Sequence, residues 1–202
     1  EQLLARRENL RQLPGITIPD NIQITLDCEK ATHHADCWVS AIPTEFLRTT
    51  ISRFAGLSHE HLPVISLTKG IERTSQMRPS EILREVLQTD RLVVVSGPSH
   101  AEEVARGQPT SVVAAGQDVA LTGWVQQHLG GERLRVYTNP DMVGVELAGA
   151  LKNVLGIAAG ACDGLKLGDN AKAALLTRGL VEMTRYGVAH GAQPGTFAGL
   201  AG

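Results

Sequence analysis

Lys152 is the side chain whose surroundings most favour acid–base chemistry. It lies within residues 146–159 (ELAGALKNVLGIAA), where nearly every other residue is small or apolar. Burial disfavours the charged form of a lysine and lowers its pKa towards the range that general acid–base catalysis uses. Gly149 and Gly156 leave room beside the lysine, and Asn153 could hydrogen-bond a substrate or orient the backbone. The alternative is a lysine that reaches water along the edge of its helix.

A second candidate site lies where an apolar run meets a turn, in residues 92–103 (LVVVSGPSHAEE). Ser99 and Glu102 have the spacing of a capping box that opens a helix. Gly97 has no Cβ, so backbone or ligand can approach it closely. The free N–H groups of a helix N-terminus at the carboxyl edge of a sheet can bind an anion. An ordinary strand-turn-helix corner is the alternative.

A third candidate is Lys69, which with Gly70 directly follows the β-rich run 63–67 (PVISL). A lysine at the end of a strand can hold a phosphate as a point charge. On the sequence alone, a solvated loop lysine is the better interpretation.

Other chemistry-bearing residues indicate little. The pairs His33-His34 and His59-x-His61 lack a third ligand at a recognisable spacing, so we expect no metal site. Arg178 and Glu182 have the spacing of a local ion pair on a helix. Asp163 and Asp169 are expected to cap turns, with Asp169 as the N-cap of a helix.

Strand-like and helix-like stretches alternate over the first 139 residues. This rhythm predicts right-handed βαβ crossovers and a mostly parallel sheet, with 92–95 as a strand buried on both faces. Strands are expected at 22–26, 37–42, 63–67, 92–95, 111–115 and 134–137, and helices at 2–13, 44–54, 82–87, 101–105 and 119–129.

After residue 139 the strand signals stop. Apolar residues three or four apart predict a buried helix over 142–161, then a loop over 162–168 and a second helix over 170–186. Gly187 is expected to end that second helix as a left-handed cap. We therefore expect one domain over 1–139 and another over 140–202.

Composition excludes several classes of protein. Nineteen Lys and Arg against 21 Asp and Glu give a net charge of −2, which argues against nucleic-acid binding. Three cysteines without C-x-x-C spacing fit a reducing cytoplasm better than a disulfide scaffold. No apolar run approaches the roughly 18 residues that a membrane span needs. We expect a cytoplasmic protein.

Several strings together resemble the bacterial-type NAD(P)-dependent glycerol-3-phosphate dehydrogenases, over essentially the whole chain. The strings that carry the resemblance are 14–25 (PGITIPDNIQIT), 41–48 (AIPTEFLR), 66–70 (SLTKG), 96–115 (SGPSHAEEVARGQPTSVVAA), 135–185 and 197–202 (FAGLAG). The resemblance implies a Rossmann-like α/β domain followed by the start of an all-α substrate domain. It implies hydride exchange between NAD(P)H and dihydroxyacetone phosphate, a small phosphate ester, to supply glycerol 3-phosphate for phospholipid synthesis.

The resemblance also assigns roles to residues. It makes Lys152 the catalytic acid–base, with Asn153 beside it in the substrate pocket. Lys69 would contact substrate and cofactor, while Gly97 and Ser99 would contact the substrate. For the cofactor, NAD or NADP, the implied contacts are Lys69, Ala101 and, by a weaker match, Phe46. A homodimer is the implied assembly.

The family's glycine-rich turn is expected upstream of Glu1, and its phosphate-binding Arg–Asn pair downstream of Gly202. The sequence therefore predicts the middle of such an enzyme, with an N-terminally truncated sheet. Two alternatives stay open at this point: a non-catalytic remnant, and a related two-domain hydroxyacid dehydrogenase. Residues that would select NADH over NADPH are expected before Glu1.

Overall fold

Seven strands form two sheets in the computed structural model, which describes residues 2–57 and 62–201. In chain order the strands are β1 (Glu8–Asn9), β2 (Leu13–Thr17), β3 (Trp38–Ser40), β4 (Val64–Ser66), β5 (Leu92–Ser96), β6 (Thr110–Ala115) and β7 (Leu134–Asn139). The larger sheet has the order β3-β4-β5-β6-β7, in which only β5 and β6 pair antiparallel. The predicted mostly parallel, Rossmann-like sheet is confirmed.

Eight α-helices accompany these strands over the described ranges. They are α1 (Gln2–Arg6), α2 (Cys28–Thr32), α3 (Thr44–Ile51), α4 (Pro79–Leu87), α5 (Ala101–Ala105), α6 (Val119–Leu129), α7 (Met142–Gly164) and α8 (Asp169–Ala189), with 3-10 helices at Ser52–Phe54 and Pro194–Ala198. Every residue of β4 and β5 is buried, because apolar clusters cover both faces of the sheet. Residues of α3, α4 and α7 form one cluster with β5, and residues of α6 contribute to the other.

The two earliest element predictions are wrong. Residues 2–13 form one short helix and the start of a hairpin, with Gly15 in a left-handed conformation (φ +80°). Residues 22–26 form no strand. The Arg7 guanidinium donates to the carbonyl oxygens of Ile18, Pro19 and Ile22. In the described ranges these backbone carbonyls are therefore hydrogen-bonded to a side chain and not to a neighbouring strand.

The helical region begins at Asp141, whose carboxylate caps α7 by accepting from the Gly144 N–H at 2.8 Å. The other carboxylate oxygen accepts from the Gln193 N–H and from Thr196 Oγ1, which joins the last 3-10 helix to the start of α7. By length and composition alone α7 is long and apolar enough to cross a membrane, a test that core helices also pass, so the expectation of no membrane span is not contradicted. Its first two turns are buried in the core.

Three further predictions about this region need correction. Helix α7 continues to Gly164, past the predicted end at 161. Asp169 begins α8 without capping it, since Gly168 occupies the N-cap. Gly187 lies inside α8, where a Cβ would overlap the ring of Phe197, and the left-handed glycine is Gly191 (φ +90°).

Two local ionic predictions also have outcomes. Arg178 and Glu182 form no ion pair in the part of the chain that the structure describes. Asp163 instead accepts from Lys172 Nζ at 2.6 Å, which ties the end of α7 to α8.

Candidate active site

The turn after β5 brings two strands into close contact. At Gly97 a Cβ would lie 2.8 Å from the carbonyl oxygen of Ser111 and 2.9 Å from Val112 Cα. A side chain there would push β6 away, so the position requires glycine. The Ser99 hydroxyl lies 3.4 Å from the Gly97 carbonyl oxygen.

The predicted capping box of Ser99 and Glu102 is wrong. The N-cap of α5 is His100, whose side chain makes no capping hydrogen bond, and the helix has only five residues. The part of this corner that could contact a ligand is therefore the backbone turn at Gly97, and not the expected helix N-terminus.

Lys69 extends from the loop after β4 towards this same turn. Its Nζ lies 3.4 Å from the Gly97 carbonyl oxygen. Burial lowers the pKa of Lys69 below its ordinary value of 10.5. The loop lysine is thus half-buried beside the corner, and the interpretation of a freely solvated side chain is wrong.

Lys152 reaches the site from the opposite side, on α7. That helix comes close to the sheet at Gly149, where a Cβ would lie 2.5 Å from Ser96 Oγ and 4.0 Å from Lys69 Cγ. Lys152 is half-buried one turn further along, and Asn153 is exposed next to it. The absence of a side chain at Gly149 therefore lets α7 bring Lys152 near Lys69.

The two lysines influence each other electrostatically. Burial lowers the pKa of Lys152 below 10.5, and the positive charge of Lys69 lowers that pKa further. Within the described ranges neither lysine forms an ion pair with a carboxylate. Two partly desolvated cations without a paired anion make a position that favours a bound anion.

One cleft of about 900 Å³ contains this group of residues. Five predicted substrate-site residues line it together: Lys69, Gly97, Ser99, Lys152 and Asn153. Sequence reasoning missed the contributions of His100, Ile157 and Leu200 to its walls. The last of these becomes a neighbour only because the final 3-10 helix folds back on α7 and α8.

A second, more apolar cavity of about 610 Å³ shares Lys69 and Ser99 with the cleft. Ala101 lines it with Ile42, Pro43 and Val104. The predicted cofactor contacts Lys69 and Ala101 thus lie on one cavity. Phe46 lines neither cavity, and the residue is 55% exposed on α3.

Glu146 anchors α7 one turn before Gly149, and nothing in the sequence marked it. Its buried carboxylate accepts from the Ser80 N–H at 2.8 Å, from Ser80 Oγ at 2.6 Å and from Arg78 at 2.8 Å. Burial raises the pKa of Glu146, and these hydrogen bonds and the Arg78 charge act in the opposite direction. The start of α4 and the start of α7 are thereby fixed to each other.

A metal site is not indicated by the side chains. His59 and His61 lie outside the described residues. Across 2–57 and 62–201, no three His, Cys, Asp or Glu side chains are grouped as metal ligands.

Comparison with known families decides where the chain belongs. The family model for the N-terminus of NAD-dependent glycerol-3-phosphate dehydrogenase matches residues 1–122, and the model for the C-terminus matches residues 141–202. The chain belongs to the NAD-dependent glycerol-3-phosphate dehydrogenase family. Membership of this family does not favour either alternative from the sequence, a non-catalytic remnant or a related two-domain hydroxyacid dehydrogenase.

Individual members of the glycerol-3-phosphate dehydrogenase family agree. A glycerol-3-phosphate dehydrogenase (NAD(P)+) of Salinibacter ruber is 47% identical over 205 residues, covering 100% of this chain and 60% of the relative. One of Pelotomaculum thermopropionicum is 47% identical over 199 residues, covering 97% of this chain and 57% of the relative. The crystal structure of the Coxiella burnetii glycerol-3-phosphate dehydrogenase superposes with a TM-score of 0.92 at 36% identity, covering 100% of this chain and 62% of that one. The chain spans about 60% of the length of its curated relatives.

Proposed function

We propose that the whole protein is an NAD(P)-dependent sn-glycerol-3-phosphate dehydrogenase that interconverts dihydroxyacetone phosphate and glycerol 3-phosphate, the latter a precursor of phospholipids. One observation carries the proposal: two half-buried lysines that have no carboxylate partner among the described residues line one cleft, and an apolar cavity adjoins it at Lys69. A small anionic substrate suits the cleft, and the family membership names the substrate class.

Substrate binding is proposed for the residues of the cleft. Lys69 would hold the phosphate ester by its charge, and Asn153 would hydrogen-bond a hydroxyl or carbonyl oxygen. Gly97 and Ser99 would let the substrate approach the backbone of the turn, since no Cβ occupies Gly97.

The cofactor site is proposed for the neighbouring cavity. We propose NAD or NADP as the cofactor. The cavity has a volume of about 610 Å³ and an apolar wall of Ile42, Pro43 and Ala101, which suit a flat ring such as nicotinamide. Hydride exchange with carbon 2 of the substrate is the chemistry that a bound nicotinamide would supply. A cofactor contact by Phe46 rests on the resemblance alone, because its ring faces neither cavity.

Lys152 would move the proton. In reduction its ammonium donates a proton to the oxygen on carbon 2 as negative charge develops there. In oxidation the neutral amine accepts the hydroxyl proton. Burial and the charge of Lys69 lower the pKa of Lys152, which brings the amine form closer to neutral pH, where an acid–base group is most effective.

Turnover is measured in residues 1–202 joined to the flanking segments of a full-length relative. Lys152→Ala should lower kcat for dihydroxyacetone phosphate reduction by about 10²–10⁴-fold, the usual contribution of a general acid–base. Lys166→Ala, at an exposed lysine outside the cleft, is the matched control. A Lys152→Ala enzyme within a few-fold of its parent would remove the acid–base role.

Location and assembly are also proposals. A cytoplasmic location is supported by three cysteines that form no disulfide in the described structure. A homodimer is supported by the resemblance, and light scattering on the purified protein would test it.

A further inference from the structure

The backbone of the Lys69 loop is held along its length by the segment that follows β3. The Leu67 N–H donates to the Ser40 carbonyl at 2.8 Å, which continues the parallel pairing past the end of β4. Thr68 Oγ1 donates to the Ile42 carbonyl at 2.9 Å. The chain therefore reaches Lys69 with its direction already fixed.

Thr44 makes the contact to Lys69 itself. As the first residue of α3, its Oγ1 donates to the Lys69 carbonyl oxygen at 2.7 Å. The next residue, Gly70, has φ +128°, and a Cβ there would lie 2.6 Å from the same Oγ1. The peptide between Lys69 and Gly70 is thus pressed against the Thr44 hydroxyl.

Arg48, one turn further along α3, holds the exit of the loop. Its Nε and Nη2 donate to the Glu72 carboxylate at 3.0 Å each. The Glu72 side chain is only 13% exposed, and the Glu72 N–H donates to the Met77 carbonyl. One face of α3 therefore fixes the loop on both sides of Lys69.

The far end of Lys69 has much weaker support. Its Nζ has one hydrogen bond within the described residues, a long one of 3.4 Å to the Gly97 carbonyl. A flexible side chain with so little support at its tip points where its backbone directs it. The hydrogen bond from Thr44 Oγ1 to the Lys69 carbonyl oxygen fixes the backbone of Lys69 itself, and this backbone sets the direction in which the side chain leaves.

We propose that Thr44 is a positioning residue: its hydroxyl, by fixing the Lys69 peptide, aims the Lys69 ammonium into the cleft. The inference rests on the proposed role of Lys69 in substrate binding. It also gives the run 43–46 a role through Thr44, whose hydroxyl contacts the Lys69 carbonyl, independently of the exposed Phe46.

The first test is kinetic and uses residues 1–202 with the flanking segments of a relative. Thr44→Val keeps the shape and removes the donor, Thr44→Ser keeps the donor, and Thr49→Val on the same helix is an exposed control. Thr44→Val should lower kcat/KM for glycerol 3-phosphate by about three- to tenfold, the range for one lost hydrogen bond. Thr44→Ser and Thr49→Val should stay within about twofold of the parent.

A double-variant cycle separates positioning from general damage. In the Lys69→Ala background, Thr44→Val should have no further effect, because no ammonium is left to aim. A loss that persists in that background would mean a structural role and would overturn the inference. If Lys69→Ala itself leaves kcat/KM unchanged, the proposed role of Lys69 fails and the inference fails with it.

The second test needs no turnover. The chain has five lysines, so ¹³C-dimethylation gives few signals, and single-lysine variants assign them. Thr44→Val should shift the Lys69 signal and its titration midpoint, while Thr49→Val should leave both unchanged. An unshifted Lys69 signal in Thr44→Val would overturn the inference even if Lys69 proves essential.

Discussion

Three lysines of this protein are half-buried, and their electrostatic surroundings shift their pKa values in opposite directions. Lys172 donates to Asp163 at 2.6 Å, which raises the pKa of Lys172. Lys69 and Lys152 line one cleft and pair with no carboxylate over 2–57 and 62–201, and burial lowers the pKa of both. The ordinary structural lysine and the two candidate functional lysines are therefore distinguished by the sign of the pKa shift.

The lowered pKa of Lys152 has a consequence for stability. Between its folded pKa and the unfolded value near 10.5, the unfolded chain binds more protons, so this residue makes stability rise with pH there. Below the folded pKa, the folded protein carries the full cost of a partly desolvated charge beside Lys69. Removing that charge should stabilise the protein at neutral pH.

We therefore expect Lys152→Met to raise the free energy of unfolding near pH 7. The gain should stay under about 1 kcal/mol, because solvent screens a half-exposed charge. The gain should shrink as the pH approaches 10.5. Urea unfolding at several pH values measures it, with Lys166→Met as the exposed control. A gain that does not vary with pH would refute this origin.

Residue type and local context were enough to find the two lysines and the turn glycine of the cleft. Lys69 and Gly97 follow strands, and Lys152 stands alone among small and apolar neighbours. The sequence did not indicate Thr44 or Glu146, because their hydrogen-bond partners, Lys69 and Ser80, are 25 and 66 residues away. Contacts at that separation depend on how the sheet orders its strands, which local spacing does not encode.

At the scale of elements, the contact between α7 and β5 determines where Lys152 stands. Gly149 faces Ser96 Oγ, a buried hydroxyl without a hydrogen-bond partner among the described residues. An added Cβ would lie 2.5 Å from that oxygen but 3.5 Å from Ser96 Cβ, which is an ordinary contact. The serine hydroxyl alone is therefore the obstacle to a side chain at this point of α7.

Gly149→Ala should destabilise the protein by about 1–3 kcal/mol through overpacking. Adding Ser96→Ala should restore most of that loss by removing the obstacle. Gly160→Ala on the same helix, where a Cβ meets nothing within 4 Å, should stabilise by about 0.5–1 kcal/mol because alanine favours a helix. Thermal unfolding of these three variants and the parent checks these signs. Equal effects at Gly149 and Gly160 would contradict the packing argument.

Elements with strong periodicity were predicted well, and elements defined by remote contacts were not. β5 and α6 followed from apolar runs bounded by turn residues. The hairpin of β1 and β2 was missed, since none of its residues is buried and its neighbourhood depends on Arg7. The true end of α8 was missed because Gly187 meets Phe197, a residue ten positions further along the chain.

For the whole molecule, the expected division at residue 140 stays a prediction, and the packing across it is extensive. Met142, Val145 and Leu147 of α7 belong to the same apolar cluster as Ile82 of α4 and Val94 of β5. Glu146 adds three hydrogen bonds to the residues that begin α4. The first two turns of α7 thus complete the core of the sheet, so we expect both parts to unfold together.

Glu146→Ala tests that coupling. It leaves the Ser80 N–H without its buried acceptor and breaks the pair with Arg78, and should cost about 3 kcal/mol. Arg78 keeps its hydrogen bonds to Glu81, which holds the loss to the lower end of the range for buried ion pairs. Glu182→Ala, an exposed glutamate on α8, should change stability by less than about 0.5 kcal/mol.

Two probes report on the two parts separately. Both tryptophans, Trp38 and Trp124, precede residue 140, whereas the long helices α7 and α8 hold about half of the α-helical residues that circular dichroism detects. In Glu146→Ala the fluorescence and dichroism midpoints should move together in urea, because one carboxylate fixes α7 to the helix that covers the sheet. Were the helical signal to weaken while tryptophan fluorescence kept its parent midpoint, the sheet would be stable without α7. The two parts would then be independent domains.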